Sequence, residues 1–291
     1  MTTSSSTRAR VLAHLVPLVA ADTRNPPRAD AGIDALFAHV RGVLGDCGFV
    51  VVEKDLGTGC RWLHATRGAA GKNVPLVNVH IDTVPRDDGW LHDPWTLRTA
   101  IVDDEERAVG LGACDIKGAV AAFLVAAEDT TGPAELLLSS DEEAGSSTCI
   151  RTFVVEHDVV DRLVLVAEPT RGTAVVAHRG IGTAVVAFNG VAGHASAQRA
   201  TVDSAVAEAV RFCSKALAVA DADDNTIRLN LGRIEGGTKA NMIASSCLLR
   251  FGVRPPPEHT PEHVLSTLSA LVTSSRASFE RGFLAPACPA P

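Results

Sequence analysis

The sequence has no tyrosine, only three tryptophans and nine phenylalanines in 291 residues, and no block of lysine or arginine. Single-stranded nucleic acids are gripped by stacking aromatics, and phosphate backbones by clustered positive charge. With a net charge of −7 and neither feature, a nucleic-acid partner is not expected. Long apolar runs are missing as well, so nothing approaches the ~20 residues of a membrane span. The seven cysteines (Cys47, Cys60, Cys114, Cys149, Cys213, Cys247 and Cys288) form no CxxC pair. That scatter argues against a disulfide framework or a structural zinc knuckle and suits reduced thiols in the cytoplasm. Histidine is absent beyond His263, although the chain runs to Pro291.

What is present has an ordinary globular balance, 46% hydrophobic and 21% charged, and a length sufficient for two cores. Arg8 and Arg10 precede an apolar stretch that imitates a secretory leader, but Val11, Leu12, Leu15, Leu18 and Val19 recur at helical spacing and His14 and Pro17 interrupt it. We read a first helix ending near Asp22, a turn at Thr23–Pro27, and a second helix over 33–44 with Ile33, Leu36, Phe37, Val40 and Leu44 on one face. Strand-like runs at 49–52, 75–79, 135–139 and 162–166, with a helix at 118–128, predict an α/β sheet covered on both faces. After Arg171 the pattern changes. Alternating runs at 175–179 and 182–188, a helix at 200–217, strands at 226–232 and 246–253 and a helix from Pro261 towards Ser275 predict a smaller α+β sandwich. The boundaries are 1–172, 173–281 and a tail at 282–291 with no strand or helix pattern.

Chemistry gathers where the strand-like runs end, the place where open α/β sheets carry functional groups. His80-Ile81-Asp82 follows one run, Asp141-Glu142-Glu143 another and Glu168-Pro169 a third, while Asp115 sits inside the Gly112–Gly118 loop. His80 and Asp82 point the same way from a strand end, so the Asp can fix the ring tautomer of a ligating His. A surface His beside a loop Asp is the plain alternative. Asp115 can reach between two cations from a glycine-loosened loop, or it can simply cap helix 118–128. Beside it, Cys114 reads as a buried spectator thiol. Three consecutive acids repel one another unless a cation neutralises them, although a solvated turn is the default for such a run. Histidine with carboxylates is the ligand mixture of divalent zinc, and together these groups fit metal-assisted hydrolysis with a carboxylate base.

The stretches NVHIDTVP, GLGACDIKG, SSDEEAG, VAEPT, AHRGI, GHAS and GGTKANMIA, spanning residues 78 to 244, with FGVRP at 251–255, resemble the dinuclear zinc aminoacylase and carboxypeptidase family. The likeness is to its acetylornithine and acetylcitrulline deacetylase branch. The resemblance implies a zinc-exopeptidase-like catalytic domain with a mixed sheet and a lid domain that forms a homodimer. It also implies removal of an acetyl group from N-acetyl-L-ornithine or N-acetyl-L-citrulline in arginine biosynthesis. By that resemblance His80, Asp115 and Glu168 hold one metal, and Asp115 bridges to a second that Glu143 also binds. Glu142 is the general base and Asp82 the orienter of His80. His194 stabilises the oxyanion across the dimer interface, and Asn241 and Arg254 hold the substrate carboxylate. The cofactor is two Zn2+ per site, with Co2+ as the other candidate.

The pattern departs from the family at its end. There the chain returns from the lid to the catalytic domain, adding strands and the histidine of the second metal site, and here no such return is expected. His259 and His263 are poor substitutes, and the sheet is expected to keep an unpaired edge. A dipeptidase, carboxypeptidase or desuccinylase on the same fold, and an inactive dimerising fragment, are the other readings.

Overall fold

A computed structural model describes residues 2–57, 59–69, 71–222 and 227–288 of the chain. Two units separate, Met1–Gly172 and Thr173–Pro291. The first contains α1 (Thr2–Ala20), α2 (Asp30–Asp46), β1 (Val50–Asp55), β2 (Arg61–Arg67), β3 (Leu76–His80), β4 (Arg98–Val102), β5 (Glu105–Val109), α3 (Gly118–Asp129), β6 (Ala134–Ser139), α4 (Thr148–Glu156) and β7 (Val164–Val166). Its sheet runs β1-β2-β6-β3-β7, antiparallel as far as β6 and parallel across β6-β3-β7, so it is a mixed sheet.

Period-two alternation sorts the strand residues between two cores. Leu63, Ala65, Val79, Leu136 and Leu138 face α1, α2 and α3, which bury Leu18, Ile33, Phe37, Val40, Val120 and Leu124 against them. Trp62, Leu76 and Leu137 face the other way, onto Cys149 and Phe153 of α4. Trp62 meets Phe153 edge-on at 5.7 Å, the geometry that ring quadrupoles favour. The helical stripe read from Ile33 to Leu44 is the buried face of α2. β7 stands at the sheet edge with Val164, Leu165 and Val166 exposed.

The second unit contains β8 (Ile181–Asn189), β9 (Gly193–His194), α5 (Ala200–Asp203), α6 (Ala205–Ala222), β10 (Arg228–Gly236), β11 (Met242–Ile243), β12 (Ser246–Arg254), α7 (Pro261–Ser269) and β13 (Ala277–Ala285). Its four-stranded sheet, β10-β12-β8-β13, is antiparallel throughout. α6 and α7 cover one face, packing Phe212, Ala216, Val264 and Leu265 onto Val186, Phe188, Leu249 and Val253. Thr260 caps α7 by accepting a hydrogen bond from the His263 N–H.

Several expectations need correction. The patternless tail begins too early, because β13 pairs with β8 as far as Ala285, and Cys288 bridges His178. Glycine at 282 and a register shift between Arg281 and Leu284 hid that strand. Residues 175–179 form no strand apart from this bridge, and the last helix ends at Ser269, not Ser275. The 226–232 strand begins at Arg228 and extends to Gly236; Thr226 lies outside the described residues. The β4–β5 hairpin was not anticipated. Its two-residue turn is Asp103-Asp104, both at positive φ, the pairing that matches strand twist. Among the described residues no helix is long and apolar enough to cross a membrane.

Candidate metal centre

Parallel pairing brings three strand ends to one edge. His80, the last residue of β3, lies opposite Ser139, the last of β6, and Ala167 after β7 donates its N–H to the Asn78 carbonyl at 2.9 Å. Asp141–Glu143 and Glu168 therefore leave the sheet beside His80. Asp115 arrives from the loop before α3, whose Ala113–Lys117 turn departs from helical geometry at Asp115 and Ile116. Gly112 opens that turn with φ of 75°, and a Cβ there would lie 2.5 Å from the Thr83 methyl. Only glycine satisfies both conditions. Asp115 is not the cap of α3; Lys117 occupies that position and no side chain caps the helix. Cys114, expected to be buried, is exposed because the turn directs Asp115 towards His80 and leaves its neighbour outward.

His80 Nε2 lies 3.1 Å from Asp115 Oδ1 and 3.9 Å from Glu168 Oε1. One ligand atom from each of His80, Asp115 and Glu168 falls within 4.8 Å of the others, a donor set that suits a divalent cation. His80 Nδ1 donates to the Asp82 backbone carbonyl at 3.0 Å, while the Asp82 carboxylate at 3.6 Å acts as a nearby charge and not a hydrogen-bond partner. Burial pulls the imidazole down, but Asp82, Glu142 and Glu168 outweigh it and hold its pKa at about 9. Burial also raises Glu143, reinforced by the charges of Glu142, Asp115 and Asp82 against the pull of His80. Glu168 is raised for the same first reason, with His80 opposing and Asp115 and Glu142 adding. Acids that resist ionisation together mark a place where positive charge is favoured.

Asp82 ties the edge together. Fully buried, it accepts the backbone N–H of Glu142 at 3.2 Å and of Glu143 at 2.9 Å. It thus fixes both the strand carrying His80 and the loop carrying the two glutamates. Asp141 turns away from the site, accepting from the Cys149 N–H and the Ser146 hydroxyl at the start of α4. The Glu143 carboxylate stands outside the group of three, close enough to exchange charge effects with it.

Sequence reasoning overlooked the supports behind these groups. The Thr23–Pro27 turn clasps the strand end, with Thr23 Oγ1 donating to Ile81 O at 2.6 Å and Asn25 Nδ2 to Ser140 O at 3.1 Å. Lys117 is buried and donates to Ala21 O at 2.8 Å, pinning the Asp115 loop to the end of α1. Burial lowers its pKa to about 8, with Asp22 opposing. A lysine two residues past a candidate ligand was the available signal.

The remaining predicted residues lie in the second unit. His194 pairs with Met242 in the small β9–β11 sheet, and the Ala195 N–H donates to Asn241 O at 3.0 Å, so His194 and Asn241 are neighbours. His194 Nδ1 faces Ser196, 2.8 Å from its hydroxyl and 3.3 Å from its donating N–H. Arg254 is apart from them. It ends β12 opposite Arg228, whereas Ser246 at the other end pairs with Asn189 near the His194 loop. Eight residues of strand, about 26 Å, separate those ends.

Residues 176–278 match the M20 peptidase dimerisation domain. The chain is 43% identical over 288 residues to N-acetyl-L-citrulline deacetylase of Xanthomonas campestris pv. campestris, covering 97% of this chain and 76% of that protein. It is 30% identical over 269 residues to acetylornithine deacetylase of Pectobacterium atrosepticum, covering 85% and 67%. Among solved structures, aminopeptidase PepT from Bacillus cereus superposes with a TM-score of 0.66 at 19% identity, over 96% of this chain and 77% of that one. The chain belongs to the M20 family of hydrolases acting on amide bonds, in its acetylornithine and acetylcitrulline deacetylase branch.

Proposed function

We propose that the chain removes the acetyl group from N-acetyl-L-citrulline or N-acetyl-L-ornithine in arginine biosynthesis, as a cytoplasmic, metal-dependent homodimer. The observation that carries the reading is the convergence of His80, Asp115 and Glu168 beside Glu142 and Glu143. His80, Asp115 and Glu168 would hold one divalent cation, and Asp115 with Glu143 a second, zinc being the ion this donor chemistry suits best. Such a cation acidifies water and polarises an amide carbonyl.

The protein's own groups then divide the work. The Glu142 carboxylate takes a proton from the attacking water as its oxygen bonds to the acetyl carbon, and returns it to nitrogen as the C–N bond breaks. Acetate and the free α-amine leave. Asp82 positions rather than reacts, holding the Glu142 and Glu143 N–H groups. His194 offers a ring N–H to the developing oxyanion, a role that typically contributes about 10²–10³ in turnover. Arg254 offers a planar fork for the substrate carboxylate; Asn241, beside His194 at the far end of β12, would share that carboxylate only from the other protomer of the homodimer. The 103-residue match to a dimerisation domain supports self-association of the second unit.

The test is acetate release from both acetylated amino acids against a panel of dipeptides, with zinc or cobalt added back after chelation. Metal-dependent release that Glu142→Gln abolishes is expected. Dipeptide cleavage without acetate release would overturn the substrate assignment, and no turnover at any metal loading would overturn the activity of this chain.

A further inference from the structure

The helix-free face of the β10-β12-β8-β13 sheet carries arginines that the deacetylase reading uses only in part. Arg228 lies directly opposite Arg254 in the β10–β12 register, and Arg250 lies two pairs of side chains along β12 on the same face as Arg254. Directly opposed residues of an antiparallel pair stand about 4.5–5.5 Å apart at Cα, where like charges destabilise the sheet.

Three other arginines of this unit have acidic partners, while Arg211 and Arg281 donate to Thr201 O and Ser266 Oγ. Arg199 and Arg276 share Asp203, and Arg233 pairs with Glu235. Among the described residues no carboxylate pairs with Arg228, Arg250 or Arg254, and Glu280, on the same face of β13, stands two strands from Arg250. All three arginines line one trough of about 630 Å³, whose wall includes Gly232, Gly252 and Gly282. The missing side chains keep the trough open. A Cβ at Gly252 would come within 3.4 Å of Arg254 Nη1, so that guanidinium lies over the glycine on the line towards Arg250.

We propose that Arg228 and Arg250 join Arg254 in a single carboxylate-binding trough, and that this surplus of positive charge makes the chain favour N-acyl amino acids of net negative charge over those with a cationic side chain. A carboxylate between Arg228 and Arg254 removes the repulsion that the bare sheet sustains, and two planar forks match its oxygens better than one. The choice of ligand rests on the deacetylase reading; the trough itself does not.

Calorimetric titration of the full chain tests it, with N-acetyl-L-citrulline, its C-terminal carboxamide, N-acetyl-L-ornithine and succinate as probes. The free acid should bind about 10-fold or more tightly than its carboxamide, and N-acetyl-L-citrulline more tightly than N-acetyl-L-ornithine. Arg228→Gln and Arg250→Gln should each weaken acid binding about 10- to 100-fold, leave the carboxamide unchanged and narrow the citrulline-to-ornithine ratio. Arg228→Gln should keep or raise the thermal midpoint, since it removes one of two facing like charges, and Arg107→Gln in the β4–β5 hairpin should change nothing. Equal binding of acid and carboxamide, or an acid affinity indifferent to Arg228→Gln, overturns the trough while leaving the deacetylase reading intact. Succinate binding that depends on Arg228, with no binding of any N-acetyl amino acid, upholds the trough and sinks the deacetylase reading. Binding of neither overturns the trough.

Discussion

Asp82→Asn is the most informative single change, because it alters one buried atom group that three parts of the site share. The carboxylate receives two backbone N–H groups, from Glu142 and Glu143, on separate oxygens. Asparagine keeps one oxygen, so either flip of the amide presents an NH2 to one of those donors. An unmade bond of this buried kind costs about 1–3 kcal/mol. The substitution also removes a negative charge 3.6 Å from His80 Nδ1, one of the charges that raise the ring's pKa to about 9 against burial when the site holds no cation. At an effective dielectric constant of about 20 that attraction is about 4–5 kcal/mol, of which the desolvation of Asp82 offsets the larger part. The net loss should be about 2–4 kcal/mol, or about 5–15 °C in the midpoint of a unit this size. Metal affinity should fall about 10–100-fold, because the ring and both glutamates lose their common anchor. Urea unfolding followed by circular dichroism and a calorimetric zinc titration measure the two effects. A loss below about 1 kcal/mol together with unchanged zinc affinity would refute the view that Asp82 organises the site.

Other changes probe the scaffold. Gly32→Ala should destabilise the first unit by about 3 kcal/mol or more, since its Cβ would fall 1.6 Å from the Asp22 carbonyl oxygen; an unshifted urea midpoint would mean that α2 moves aside freely. Arg162→Met leaves Glu135, which is 2% exposed, with the His64 ring as its remaining partner, and should cost about 3 kcal/mol. The double variant with Glu135→Leu should recover most of that in a double-mutant cycle, and strict additivity would refute the pairing. Burial lowers the pKa of His64, with the Glu135 bond opposing, so the unfolded chain takes up the proton first as pH falls through about 6.5. His64 therefore makes stability drop over that interval until the folded ring also protonates, and His64→Phe should flatten the drop seen in urea midpoints between pH 7 and 5. Chelation should lower the thermal midpoint, and re-adding zinc at ~100 times its Kd should restore about 2.7 kcal/mol.

Those supports explain which parts of the fold were readable from sequence. Elements defined by local periodicity came through well. α2 announced itself by a stripe repeating every three to four residues, and β3, β6 and β12 by apolar runs of strand length. β2 did not, because its core face is Leu63 and Ala65 while Trp62 and His64 serve the opposite core, so no simple alternation of apolar and polar residues exists. β13 failed for a related reason. Glu280, Arg281 and Gly282 interrupt it, and only pairing with β8 holds those residues extended. In both strands the partner supplies the order.

The site divides along the same line. His80, Asp115 and Glu168 stood out as candidates because a strand end or a glycine loop beside a lone His or acid is a local pattern, their grouping was implied by the family resemblance, and the structure brings the three together. Their supports are long-range and chemically anonymous. Thr23 and Ile81 are 58 residues apart, Asn25 and Ser140 are 115 apart, and Lys117 reaches Ala21 across 96. None of these partners is more than a backbone carbonyl, which every residue owns, so no residue type at position 81, 140 or 21 records the contact. The donor side does leave a trace. A threonine and a lysine enclosed by the fold, and to a lesser degree a half-buried asparagine, must each find an acceptor or cost about 1–3 kcal/mol unpaired. Burial of those donors, rather than any motif, locates the struts of the site, and the same criterion applied to the second unit singles out the opposite case. Arg228, Arg250 and Arg254 are charged groups that the described residues leave without acidic partners around one trough, and that unbalanced charge is the basis for assigning the trough a carboxylate.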